Sequence, residues 1–274
     1  MHQIRIGHSP DPDDAFMFYG FASGQVTLPE YEIVHVLHDI QTLNEIAVGD
    51  DPLEVTAMSL HAYFDLENRY ELLEVGTSAG RGYGPRLIAR QPLTLDDLHG
   101  ARIALPGPKT TATLAARALL PQFHEVHMDF TNIMAAIASG NVDAGIVIHE
   151  GQLTYGELGF HLVADLGRLF AERHQQLPLP LGVNCVLRDL APDLKKQIAQ
   201  AYRASVVVAM TQREQAVKYS LQFGRGITAE IADRFVGMYV NEDSLAFNSD
   251  LKSAVEVMRR YYAADQAKRE KVKS

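Results

Sequence analysis

The chain has 274 residues, 47% of them hydrophobic, which suits two modest α/β units or one large one around a buried core. A formal net charge of −9, with no lysine or arginine stripe, argues against a nucleic-acid partner, because nothing would displace counterions from a phosphate backbone. The single Cys185 excludes an internal disulfide and a cysteine-rich metal site, and no run approaches the ~18 consecutive apolar residues of a membrane span.

The amino terminus enters a strand-like alternation, Ile4-Arg5-Ile6, without the long apolar stretch of a secretory signal, so a cytoplasmic protein with no membrane partner is expected. Next come a helix from about Asp14 to Ala22, a strand Glu32 to Leu37, a helix through Leu43 and Ile46, a strand Glu54 to Met58 and a strand Leu72 to Val75. Such alternation is the signature of βαβ units and a mainly parallel sheet. The glycine-rich Gly80-Arg81-Gly82-Tyr83-Gly84 fits a hinge, and the apolar strand from Pro85 to Pro92 marks a first crossing between lobes.

A second α/β series opens at Leu93, where Thr94 can cap a single helical turn while Asp97 reaches back to it. It continues with a strand Arg102 to Leu105, a helix Ala112 to Leu120, a strand near Glu125 to Met128 and a helix Asn132 to Ser139 that Gly140 is placed to end. The apolar strand that follows closes on His149-Glu150. Leu177 to Arg188 reads as an extended strand returning to the first lobe, and everything from about Ala191 onward is helical in pattern. The expected division is residues 1–92 plus 185–274 for lobe 1 and 93–184 for lobe 2, with a ligand cleft between them. The helical last third could brace the first lobe or form a homodimer surface. Its basic tail, Lys268 to Lys273, reads as a solvated helix end.

Four places carry the residue types that chemistry needs. Side chains at the carboxyl ends of strands in an open α/β sheet border the ligand crevice, and imidazole exchanges protons near neutrality without special tuning, so His149 is the candidate general base. The loop Pro106 to Thr111 runs into a helix N-terminus able to hold an anionic group on backbone N–H groups, although it lacks the spacing of a P-loop. Ser59 sits where a strand gives way to a helix and can receive a ligand carboxylate or serve as a simple N-cap. Ser9 lies in a tight strand-to-helix turn, beside Asp11 and Asp14, which read as capping residues. Arg81 and Arg86 are further candidate carboxylate contacts. No second histidine lies at ligand spacing from His149, so no metal is expected there.

In their order and spacing, the segments Ser9-Pro10 to Tyr19, Leu37 to Asn44, Gly80 to Pro85, Pro106 to Thr111, Ile148-His149-Glu150 with Thr154-Tyr155, Leu177 to Gly182 and Tyr239-Val240-Asn241 resemble the menaquinone-biosynthesis family of the futalosine route, specifically its 1,4-dihydroxy-6-naphthoate synthase branch. The resemblance implies a two-lobed fold like that of type II periplasmic solute-binding proteins. It also implies a cofactor-independent lyase that converts cyclic de-hypoxanthine futalosine to dihydroxynaphthoate. The family's general base matches His149, and its substrate contacts match Ala57-Met58-Ser59 and Thr110-Thr111-Ala112; Ser9 is a further candidate contact by its place in the strand-to-helix turn, not by the resemblance. The chain departs from the branch at Asp11 and Asp13, where cysteine and asparagine are familiar, at Ala57, where a lysine can occur, and at Lys109, which replaces a histidine. The alternatives are the sister branch, which dehydrates chorismate, and a non-catalytic binding protein for a small carboxylate.

Overall fold

The computed structural model describes residues 2–223 and 227–273, and the chain divides into two units. Unit 1 comprises Met1–Ala79 and Leu181–Asn248, and unit 2 comprises Gly80–Pro180 and Ser249–Ser274. The strands are β1 (His2–His8), β2 (Tyr31–Leu37), β3 (Val55–Ser59), β4 (Tyr70–Leu72), β5 (Ser78–Gly80), β6 (Arg86–Ala89), β7 (Arg102–Leu105), β8 (His124–His127), β9 (Ala144–Val147), β10 (His161–Asp165) and β11 (Leu179–Leu187).

Unit 1 carries a sheet in the order β2-β1-β3-β11-β4, with β5 paired to β11. Its core forms where the apolar face of β1 (Ile4, Ile6) meets Phe16, Met17 and Phe18 and the long helix Pro192–Thr211, whose Ile198, Tyr202, Val206 and Ala209 are buried at helical spacing. A second cluster, Leu43, Leu53 and Ala57, packs the helix Ile40–Val48 on the other face. That helix starts sharply because the Asp39 carboxylate accepts from the backbone N–H groups of Gln41 and Thr42.

Unit 2 has a sheet in the order β10-β6-β9-β7-β8. Ile88, Ala104 and Val147 of the sheet are buried against Ile133 and Ile137 of the helix Ile133–Ala138, which Gly140 follows at φ +75°. The helix Ser249–Lys273 also belongs here. Its Leu251, Ala254, Val255 and Met258 recur at helical spacing and are buried, while Asp265 pairs with Arg117 at 3.4 Å and the Tyr261 hydroxyl meets His174 Nε2 at 2.6 Å.

The α/β sheets are those expected, each with a reversed strand: β1 runs parallel to β2 and β3, and β7 to β8 and β9, but β11 and β6 run antiparallel to their neighbours β3 and β9. These two strands are the ones that stand beside the unit boundaries at Ala79/Gly80 and Pro180/Leu181, so they enter their sheets without a βαβ crossover to set a parallel direction. Two other expectations need correction. The boundaries differ from the expected division, because β6 pairs with β9 and β10, and the last helix packs on the helix Thr111–Leu119; residues 80–92 and 249–274 therefore belong to unit 2. Residues 181–184, expected in lobe 2, are part of unit 1 through the β11–β3 pairing. The second correction concerns the first helix, which divides into Pro12–Met17 and Tyr19–Ala22.

The glycine-rich stretch packs backbone against backbone. A Cβ on Gly80 or on Gly167 would lie 1.9 Å from the Tyr83 carbonyl oxygen, so neither position has room for a side chain. Among the described residues no helix is long and apolar enough to cross a membrane.

Candidate functional site

In unit 2 the strands β8, β7 and β9 are parallel and adjacent, so the segments that follow them emerge along one edge of the sheet. After β8 comes Phe130, half-buried at the start of a short 3₁₀ turn that Asp129 caps. The loop after β7 leads into the helix Thr111–Leu119. Following β9, which ends at Val147, are Ile148 and then His149.

His149 is not the last residue of the strand. It stands two residues beyond it, in the left-handed region at φ +53°, which re-aims the side chain away from the pleat. The imidazole is half-buried, with its ring edge-on to Phe130 at a centroid distance of 4.9 Å. Its backbone carbonyl accepts from the Gln152 N–H at 3.1 Å, which starts the short helix Gly151–Thr154. Glu150 takes the N-cap place of that helix in αR conformation and makes no side-chain cap.

The anion-binding expectation at the neighbouring helix takes a narrower form. Thr110 is the N-cap: its hydroxyl accepts from the Thr113 N–H at 3.3 Å and lies 3.1 Å from the Gly107 carbonyl, which also accepts from the Thr113 hydroxyl at 2.7 Å. Both hydroxyls are thus turned inward to hold the loop. Thr111 and Ala112 occupy the first turn, where helix geometry leaves backbone N–H groups without intrahelical acceptors. Lys109, half-buried, is the cation in this loop.

In unit 1 the equivalent edge lies at the ends of the parallel pair β1 and β3. Ser59, 4% exposed, ends β3 and takes the N-cap place of the helix Leu60–Leu66 without capping it through its side chain. Instead its N–H donates to Asn44 Oδ1 at 3.0 Å, and its hydroxyl accepts from Asn44 Nδ2 at 3.3 Å. Ser9, 1% exposed, accepts from the Asp11 N–H at 3.2 Å, while its own N–H reaches the Asp14 carboxylate at 3.2 Å. Ala57 and Met58 are interior residues of β3: Ala57 belongs to the cluster with Leu43 and Leu53, and Met58 is completely buried opposite Val183.

Burial drives the titratable groups of this edge toward their neutral forms. His8 is pushed down to about 4 by desolvation; its Nδ1–H donates to the Ser9 carbonyl at 2.9 Å, and its ring stacks on Phe18 at 4.1 Å. The Asp14 carboxyl is raised well above the usual carboxylate range, by burial first and by the neighbouring Asp13 charge second. Asp13 accepts from the Ser78 hydroxyl at 2.7 Å, which ties the first helix to β5.

The structure thus gathers His149, Thr111 and Ala112 at one edge in unit 2, and Ser9 and Ser59 at one edge in unit 1, and it places Ala57 and Met58 in the core. Three partners escaped the sequence reading. Asn44 holds Ser59 from a position fifteen residues away, and its signal was a polar residue on the buried stripe formed with Leu43 and Ala47. Phe130 and Gln152, which bracket His149, carried no local signal. Arg86 is committed to protein groups: Gln152, Asp165 and the Tyr155 ring.

The fold is that of the periplasmic binding proteins: the alkanesulfonate-binding protein of Xanthomonas axonopodis pv. citri, solved with MOPS bound, superposes with a TM-score of 0.70 at 17% identity over 97% of this chain and 94% of its own. Within that class the chain belongs to the family described as Menaquinone biosynthesis, whose profile matches residues 4–264. The 1,4-dihydroxy-6-naphthoate synthase of Thermus thermophilus is 37% identical over 255 residues, 93% of this chain and 92% of that protein. The synthase of the same name from Streptomyces coelicolor is 32% identical over 269 residues, 96% and 93% of the two chains. A protein of Archaeoglobus fulgidus, solved by crystallography, gives a TM-score of 0.91 at 39% identity, with 97% of this chain and 98% of that one covered.

Proposed function

We propose that this protein is an enzyme of menaquinone biosynthesis that converts cyclic de-hypoxanthine futalosine to 1,4-dihydroxy-6-naphthoate, with His149 as general base. The observation that carries the reading is the company His149 keeps. A half-buried imidazole, an aromatic ring and a helix N-terminus lie along one sheet edge in unit 2. The family and the names of the two relatives support the same reaction.

In this mechanism the substrate carboxylate docks at the first turn of the helix that Thr111 and Ala112 open, where the helix dipole favours an anion. His149 removes the proton whose loss starts carbon–carbon cleavage, and the sugar-derived fragment leaves as the second ring becomes aromatic. Aromatisation supplies much of the driving force, so one positioned base is sufficient chemistry and no cofactor is invoked.

The test is product analysis by mass spectrometry after separate incubation with the cyclic substrate and with chorismate. Dihydroxynaphthoate from the first substrate alone supports the proposal. Conversion of chorismate assigns the chain to the sister dehydratase, and tight binding of an organic acid without any product makes it a solute-binding protein. His149→Ala, still folded by circular dichroism, should lose turnover by a factor of ~10²–10⁴. Near-full activity in that variant removes His149 from the mechanism.

A further inference from the structure

We propose that Arg86 is a positioning residue for His149, acting through Gln152 and touching no substrate itself. The inference deepens the reading of His149 as the base, and its kinetic arm rests on that reading. Arg86 opens β6, and in the antiparallel pairing it stands opposite Val147 on β9 and opposite Asp165 on β10. Register alone therefore brings it to the sheet edge from which His149 emerges.

Its side chain makes three contacts there at once. Nη1 donates to the Gln152 carbonyl at 2.6 Å, Nε faces the Asp165 carboxylate at 3.4 Å, and the guanidinium lies 5.5 Å from the centre of the Tyr155 ring. Gln152 in turn donates its own N–H to the His149 carbonyl. One residue, Gln152, hydrogen-bonded on both sides, thus separates the guanidinium from the backbone of the proposed base.

The arrangement answers a specific need. His149 holds φ at +53°, a conformation that residues with a Cβ adopt reluctantly and keep only where the surroundings over-determine it. The helix that fixes it, Gly151–Thr154, is a single turn with little stability of its own, held by the Tyr155 N–H on the Gly151 carbonyl and by Arg86 on the Gln152 carbonyl. A cation on the Gln152 carbonyl stands at the negative end of that turn, where the helix dipole favours it. Asp165 holds the guanidinium in place and is fixed in turn as the N-cap of the helix Leu166–Arg173. Lysine would keep the charge but not the planar fork that reaches a carbonyl, a carboxylate and a ring face together.

The experiment compares the parent with Arg86→Lys. The exchange arm measures the amide protons of Gln152 and, as a control for global opening, those of Ile103 and Ala104. Arg86→Lys should speed exchange at Gln152 by at least ~10-fold while the strand amides stay within ~2-fold. The kinetic arm expects kcat to fall by ~10- to 100-fold with KM changed by less than ~3-fold, as a displaced base requires. In a His149→Ala background the same substitution should change kcat by less than ~2-fold, because there is no base left to position. If Arg86→Lys fails to fold, Asp165→Asn takes its place: it keeps a side-chain oxygen for the cap but loses the charge that orients the guanidinium, and the same pattern is expected at smaller size.

Unchanged Gln152 exchange overturns the proposal, and so does an equal loss of kcat with and without His149. Should His149→Ala alone retain full activity, the reading of His149 as base fails. The exchange arm still decides whether Arg86 holds the turn.

Discussion

The two sheet edges that carry the candidate residues are built on opposite plans. In unit 1, Ser9 and Ser59 are almost completely buried, both are hydrogen-bonded inside the unit, and the titratable groups around them are pushed toward neutrality. In unit 2, the imidazole is half-buried, its backbone lies in the left-handed region, and an arginine fixes the turn behind it. The first edge is a finished, low-charge surface that needs no external partner to be stable. The second holds an imidazole in a conformation that its local sequence does not favour. A binding surface profits from the first plan, because preorganised neutral donors lose little on docking. A general base requires the second, because it must stay reachable and be aimed.

The largest effect that separates the plans concerns pH and His8. Its folded pKa, about 4, lies below the ordinary value of 6.5, so between those values the unfolded chain binds more protons than the folded one, and stability falls as pH falls. The loss approaches about 3 kcal/mol by pH 4 and is absent above neutrality. His8→Asn, which keeps a donor for the Ser9 carbonyl, should abolish that part of the loss; denaturant midpoints at pH 7 and pH 4.5 for both proteins measure it. His35, lowered by its partial burial, acts in the same direction and remains in the variant. Asp14 acts in the opposite direction, because its raised pKa makes the folded state the better proton acceptor, while Asp39, Glu54 and Glu125, all lowered, lose their contribution as pH falls through the ordinary carboxylate range, equally in both proteins. If the two proteins lose equal stability on acidification, unit 1 does not hold His8 neutral by burial and the contrast is broken.

Next in size is Asn44. Replacing it with alanine leaves the Ser59 N–H and hydroxyl without their partner in a site that is 4% exposed, at a cost of about 2 kcal/mol. Ser59→Ala should cost about half as much, because the N–H bond to Asn44 survives. The ratio of the two sharpens the comparison. Asn44→Ala costing less than Ser59→Ala would show that the edge of unit 1 is held by the hydroxyl alone.

Much of this architecture is legible in the sequence, and what is not has physical causes. The alternation of short apolar runs with helical stripes announces α/β units, and Asp97 reaching back to Thr94 follows from residue type and spacing. His149 stands out because an apolar strand ends just before it. Pairing across long separations is silent. The Leu251, Ala254, Val255, Met258 stripe shows that the last helix has an apolar face, but not that it packs in unit 2. Strand direction is equally silent where the chain passes from one unit to the other, since an extended strand reads the same in either sense. The positive φ at His149 leaves no trace either, because histidine, unlike glycine, does not advertise that conformation.

The smallest effect tests the second plan by itself. His149→Gly relieves a left-handed conformation worth ~1–2 kcal/mol and gives back ~0.5–1 kcal/mol in unfolded-chain entropy. Loss of the edge-on contact with Phe130 subtracts about 0.5 kcal/mol more, leaving a net gain in stability of about 0.3 kcal/mol. Turnover is expected to vanish in the same variant. Ser59, whose backbone is extended at φ −64°, has no strain to release, so Ser59→Gly should destabilise. Urea midpoints for the pair give the signs directly. A stabilised His149→Gly beside a destabilised Ser59→Gly means that only unit 2 holds its candidate residue against local preference. A destabilised His149→Gly means that the Phe130 contact outweighs the strain, and that His149 is a packed residue in a tolerable turn.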